Sequence, residues 1–174
     1  MPAFRVLLLL ACCGLAACAA PRAPQGLVMP APQEAQAANL LAGYLLGRGW
    51  QVHVTDETLV TAERGPERLQ LEPLLDPAGL DRVMVWRSWP AAPGADAAAL
   101  EDFALELNQV LNVGQFQAGS GDLRLLSSLA FLDALDPQLL EAFLEFTAQV
   151  RLAVEQVEGE RNLLAPVEGG GSSR

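Results

Sequence analysis

Every cysteine of this 174-residue chain lies within its first 18 residues, at Cys12, Cys13 and Cys18. A domain built from the remainder has no disulfide and no thiolate metal site to hold it together. It must be stabilised by an apolar core, and with 51% hydrophobic residues the chain can supply one. Whatever fold forms has to be sought in hydrophobic periodicity rather than in a cysteine framework.

The cysteines sit in a distinctive leader. One cation, Arg5, precedes an apolar run from Val6 to Ala17, and small residues lead up to Cys18. This is the layout of a secretory signal peptide. The run is shorter than the ~20 residues that span a bilayer, so a cleaved signal over residues 1–17 is expected. Leu15-Ala16-Ala17-Cys18 resembles the lipobox of bacterial lipoproteins. The resemblance implies that Cys18 becomes residue one, carrying acyl chains such as palmitate that tie the protein to a membrane. The alternative is an ordinary cysteine beside a different cleavage site. Against it, Cys18 follows the small residues directly and no cysteine lies downstream. Lipoproteins with an aspartate after the cysteine tend to stay in the inner membrane. Ala19 stands here, so the resemblance implies the outer membrane, facing the periplasm.

All cations are arginines, and the formal charge is −10. Removing the leader takes away Arg5 and no carboxylate, which makes it −11. An acidic domain of this kind is a poor partner for nucleic acid, where cations must neutralise phosphates. It also has no polybasic attraction to anionic lipid, so acyl chains would be the membrane anchor.

Residues 18–33 contain Pro21, Pro24, Pro30 and Pro32 and read as the lipidated cysteine and a semi-extended tether. Residues 159–174 end in Gly-Gly-Gly-Ser-Ser-Arg and read as a disordered tail. Residues 34–158 remain for a single domain.

Within the domain, Leu40, Leu41, Tyr44 and Leu45 fall at helical spacing over 33–47, with Gly47 at the C-terminal end. Trp50, Val52 and Val54 then alternate with polar residues, and Asp56-Glu57 marks a turn into 58–63. Gly65-Pro66 marks the next turn, into a strand over 68–72. Pro73 and Pro77-Ala78-Gly79 are expected to interrupt the ladder before a strand over 82–89. Asp96 is placed to cap a helix over 97–111 whose stripe is Leu100, Phe103, Leu107, Val110 and Leu111. A hairpin over 115–118 and 123–131 turns at Gly119-Ser120-Gly121-Asp122. Asp136-Pro137 opens the last helix, with Leu139, Phe143, Phe146, Val150, Ala153 and Val157 as its expected apolar face. Short connections between strands imply antiparallel pairing, hence an α+β fold: helix, antiparallel strands, helix, two strands, helix.

Leu111-Asn112, Gly114-Gln115-Phe116, Gly121-Asp122, Leu123–Leu129 and Leu139–Val150 resemble the corresponding pattern of the YbjN-like family, within the type III secretion chaperone-like fold. The resemblance is specific over that stretch and rests on element order elsewhere. It implies a fold and a protein-binding character, and it carries no active site. Chaperones of this fold are cytosolic and unlipidated, so their client class does not transfer to a chain with an export signal.

Catalytic and metal sites find little support. His53 is the sole histidine, on a strand position facing away from Val52 and Val54. One histidine without a thiolate does not make a zinc site, and no G-x-S-x-G elbow occurs. Gly119-Ser120-Gly121-Asp122 lacks the following lysine and helix of a phosphate cradle. The acid clusters Asp56-Glu57, Glu101-Asp102-Glu106 and Glu155-Glu158-Glu160 lack the spacing of a calcium loop. Met84-Val85-Trp86-Arg87-Ser88-Trp89 is the stretch with most to offer. Its strand is apolar on both faces, which makes Met84, Trp86 and Trp89 candidates for an interface.

The expectation is therefore a lipid-anchored envelope lipoprotein, without cofactor or catalysis, whose domain binds a protein or dimerises. The alternative is a periplasmic ligand-sensing or carboxylate-dependent enzyme domain.

Overall fold

The computed structural model describes residues 27–28, 33–65, 67–78, 80–132 and 134–166. The expected leader, Cys18 and most of the expected tether lie outside the described residues. The elements run β1 (Leu27–Val28), α1 (Glu34–Leu46), β2 (Gln51–Thr55), β3 (Leu59–Arg64), β4 (Glu67–Leu74), β5 (Asp81–Pro90), α2 (Ala97–Val110), β6 (Gln115–Ala118), β7 (Asp122–Phe131), β8 (Ala134–Leu135) and α3 (Pro137–Glu158). Among the described residues no helix is long and apolar enough to cross a membrane.

Strands β2 to β7 form one antiparallel sheet in the order β2-β3-β4-β5-β7-β6. The first four make a meander, with short turns at β2–β3 and β3–β4 and a longer loop between Leu74 and Asp81. At the β2–β3 turn Asp56 and Glu57 both take positive φ, 51° and 64°. Strand β5 is central, with β4 on one side and β7 on the other over ten residue pairs, Asp81↔Phe131 to Pro90↔Asp122.

Alternation assigns the two sheet faces. Val83, Val85, Arg87 and Trp89 of β5 are buried, whereas Met84, Trp86 and Ser88 are half-buried on the opposite side. All three helices contribute to the core on the first face. Helix α1 approaches closely because Ala37, Ala38 and Ala42 share its inner side with Leu41 and Leu45. With Val60, Leu69, Leu71, Val83 and Val85 they form one pool of core. Helix α2 brings Leu100, Phe103, Ala104 and Leu107 to a second pool with Trp89, Phe116, Leu123 and Leu125. Helix α3, about 33 Å long at 1.5 Å per residue, spans both, placing Leu140 and Leu144 in the first and Val150 and Val154 in the second. Thr147, also buried, lies between them in sequence.

The start of α3 is built as its sequence implies. Asp136 Oδ1 accepts a hydrogen bond from Gln138 N at 2.8 Å and Pro137 occupies the first turn. Its buried face differs from expectation: Leu140, Leu144, Thr147, Val150 and Val154 point inward, while Leu139 and Phe146 are each 46% exposed. The helix is apolar around a wide arc, so periodicity leaves its phase open by one residue, and the sheet selects the phase. Val110 of α2 is likewise exposed, and Asp96 stands at the N-cap without a side-chain capping bond.

Three further expectations are corrected. Pro73 does not interrupt the ladder but pairs with Val83 inside β4. The β3–β4 ladder has already ended at Val60↔Leu71, so Pro73 sits where a missing N–H is tolerated at an edge. Within the tether, Leu27–Val28 pairs with Ala134–Leu135, and Leu27 packs on the first core pool. Residues 159–166 are not a disordered tail. Leu163 and Leu164 are buried in the second pool. Ala92 N donates to Leu163 O at 2.8 Å and Ala165 N donates to Pro90 O at 2.9 Å. The physical reason is apolar: two consecutive leucines dock against the β5–α2 loop. Residues 167–174 lie outside the described residues.

That strap is also tied by charge. Arg161 donates twice to Glu106 of α2, at 2.6 and 3.0 Å, holding the carboxyl below its ordinary value near 4.5. A depressed carboxyl pKa contributes stability above the unfolded value that is lost as pH falls through the folded one. Hydrogen exchange at Leu163–Ala165 is therefore expected to accelerate as pH is lowered from about 5 toward 3, beyond the intrinsic pH effect. In Arg161→Gln that extra acid step should be absent; if it persists, another group is responsible.

Candidate functional site

The sheet face opposite the helices carries the exposed chemistry. Cross-strand register aligns Gln70, Trp86 and Leu126 in one row, and Glu72, Met84 and Ser128 in the next. Trp86 and Met84 thus lie together on the uncovered face, half-buried among their strand neighbours. Trp89 does not join them. Odd spacing from Trp86 sends it to the helix side, where it is 3% exposed and stacks on Phe116 with ring centroids 6.3 Å apart. It is a core residue, and the surface candidates reduce to Met84 and Trp86.

Beside Trp86 the sheet divides. The β4–β5 ladder ends at Leu69↔Arg87, yet β5 stays paired to β7 through Pro90↔Asp122 and β3 to β4 through Arg64↔Glu67. The two halves diverge beyond that point and leave a cleft of about 560 Å³. One bank is Glu63, Gly65, Glu67 and Arg68; the other is Ser88, Pro90, Asp122, Arg124 and the hairpin tip Ser120-Gly121. A contiguous hollow of about 310 Å³ extends past Ser88 to Trp86 and Gln70.

The cleft's charges are largely paired within their own banks. Arg68 bonds Glu63 at 2.7 Å, Arg64 lies 3.5 Å from Glu67, and Arg124 bonds Asp122 at 2.8 Å. The hydrogen bond that Arg124 donates to Asp122 raises the pKa of Arg124. Under the cleft, on the helix side, lies Arg87, 5% exposed. Burial pushes its guanidinium below the ordinary arginine value; Glu67 opposes that shift, and Arg64 and Arg151 add to it.

Other sequence candidates are dispersed. His53 is exposed on β2, opposite Thr61. Asp56 and Glu57 form the β2–β3 tip, Glu106 holds Arg161, Glu155 pairs with Arg151 at 2.6 Å, and Glu158 Oε1 accepts Leu164 N at 2.7 Å. Among the described residues no three His, Cys, Asp or Glu side chains converge as a metal site would require. The glycine loop is a hairpin turn, closed by Gly119 N donating to Asp122 O at 2.7 Å; its further part, as a bank of the cleft, is invisible locally. Arg87 was findable, because it shares the parity of Val83, Val85 and Trp89 and so had to point into the core. The split ladder has no local sequence signal.

No family model matches the chain, and no curated protein matches it in sequence. Among solved structures it is similar to YbjN from E. coli, described as a proposed transcription regulator. The two share 12% identity and a TM-score of 0.51, over 74% of this chain and 95% of that one. At that identity the likeness speaks to the fold alone: the chain has a YbjN-like α+β fold.

Proposed function

We propose that this chain is a lipid-anchored envelope lipoprotein whose domain binds a protein partner or a second copy of itself through the uncovered sheet face. The observation that carries the binding role is the pair Met84 and Trp86 on a sheet face that no helix covers among the described residues. Tryptophan and methionine are enriched in the centres of protein interfaces. The lipid anchor rests on Leu15-Ala16-Ala17-Cys18, and an outer-membrane position facing the periplasm rests on Ala19. The regulator description belongs to YbjN; the acidic charge of this chain gives no support to nucleic-acid binding.

Trp86→Glu tests the interface. A carboxylate at the centre of a dry contact is expected to weaken self-association or partner capture at least tenfold, by light scattering or by recovery from membranes in mild detergent. Unchanged association, with the fold intact by circular dichroism, would sink the interface. The anchor is tested separately: palmitate label should enter the wild type and not Cys18→Ser. A second reading, ligand sensing without catalysis, is favoured by the cleft between the sheet halves.

A further inference from the structure

Arg87 is the one buried cation of the described core, and its partners are few. Nη2 reaches Leu144 O and Thr147 Oγ1, both at 3.3 Å, at or beyond the long end of N–H···O bonds. Both acceptors are neutral and already occupied with each other, since Thr147 Oγ1 donates to Leu144 O at 2.9 Å. Nε is buried without any partner. The ion pairs among the described residues engage Arg48, Arg64, Arg68, Arg124, Arg151 and Arg161, and none includes Arg87. An unpaired buried charge is among the costliest things a core can hold.

Arg87 is not sealed in. It lines a cavity of about 120 Å³ at the split of the sheet, floored by Trp89 and Ala148 and bordered by Glu67 and Arg151. Ser88 and Arg68 border both this cavity and the cleft on the open face. The residue that carries a buried, unsatisfied Nε thus borders a cavity beside the open cleft.

The geometry points to a carboxylate-binding site, in which a carboxylate enters through the split and pairs with the guanidinium of Arg87. A planar monoanion fits for two reasons. The guanidinium offers parallel N–H donors in the spacing of carboxylate oxygens. The remaining charges nearly balance, because Arg151 is held by Glu155 and Arg68 by Glu63, with Glu67 facing the cavity near Arg64. One cation is left to neutralise, so a phosphate dianion would be undercompensated. Trp89 and Ala148 would contact the apolar stem of the acid. A free small carboxylic acid and the carboxylate of a peptide share this chemistry.

The test uses the full chain in detergent micelles, with acetate, a tripeptide with a free C-terminus, and its C-terminal amide as probes. Chloride at equal ionic strength is the control. In wild-type protein the ¹⁵N-detected Nε–H resonance of Arg87 is expected to shift saturably with a carboxylate and not with chloride. Arg87→Met should bind at least tenfold more weakly. If acetate shifts the signal and the peptide does not, the source is a small acid. If the free peptide does and its amide does not, the source is a peptide terminus. Either outcome supports the site. No carboxylate-specific shift at Arg87, or equal binding by Arg87→Met, overturns it. The wild-type resonance decides even where the variant fails to fold.

Discussion

Gly114→Ala is expected to destabilise the domain by roughly 3 kcal/mol, combining a backbone strained for an L residue with overpacking. Gly114 has φ +150°, and a Cβ there would run into the Leu126 carbonyl oxygen, with Ser127 Oγ at 2.8 Å and Leu125 Cδ1 at 2.9 Å. The first of these is backbone of the paired strand β7 and has nowhere to go. The position matters because it leads directly into β6, which is held on one side by β7 and on the other by Asn108. That side chain donates to Phe116 O at 2.8 Å and accepts from Phe116 N at 2.7 Å. A chain forced away at Gly114 loses the register of both. Thermal denaturation should show a fall in Tm of about 10 °C or more. A variant melting within about 2 °C of wild type would mean that β6 shifts without cost.

Ending the chain at residue 160 is expected to cost about 4 kcal/mol, from unburying two leucines at 1.5–3 kcal/mol each, an upper estimate for surface bookkeeping. Leu163 and Leu164 are 9% and 8% exposed. Their departure opens the second core pool, and the cut also removes the Arg161 guanidinium that lies over the Phe103 ring, the Arg161–Glu106 pair and the Leu164 N bond to Glu158. The ion pair is exposed on both sides and adds little by comparison. A chain ending at residue 166 keeps all of these contacts and is the control. Denaturant unfolding should place the shorter chain far below it, a large fraction of the 5–15 kcal/mol typical of a domain. Equal midpoints would return this segment to the status of a tail.

Much of the fold was legible. The three helices and the meander follow from periodicity and turn chemistry, as at Asp136-Pro137 and Asp56-Glu57, where local sequence and tertiary contacts agree. Legibility failed where a residue's environment is supplied by distant segments. Leu139 and Phe146 are as apolar as Leu140 and Leu144, and only the sheet selects which pair is buried. Leu163-Leu164 beside a glycine-rich end looked dispensable until the β5–α2 loop was in place to receive it.

The candidate site divides the same way. Strand alternation by itself put Met84 and Trp86 on one face and Val83 and Val85 on the other, because successive side chains of a strand must point oppositely. By the same parity Trp89 belongs to the core. The cysteine distribution by itself required a domain held by apolar burial, and the resemblance of Leu15-Ala16-Ala17-Cys18 to a lipobox is a linear pattern that needs no fold to be read. Only the tertiary structure decided that β4 parts from β5 after Leu69↔Arg87, and that Arg87 lies beneath the gap with Nε unpartnered. The end of a strand ladder depends on how two sheet halves twist over three helices. That balance is summed over the whole domain and is written at no single position of the chain.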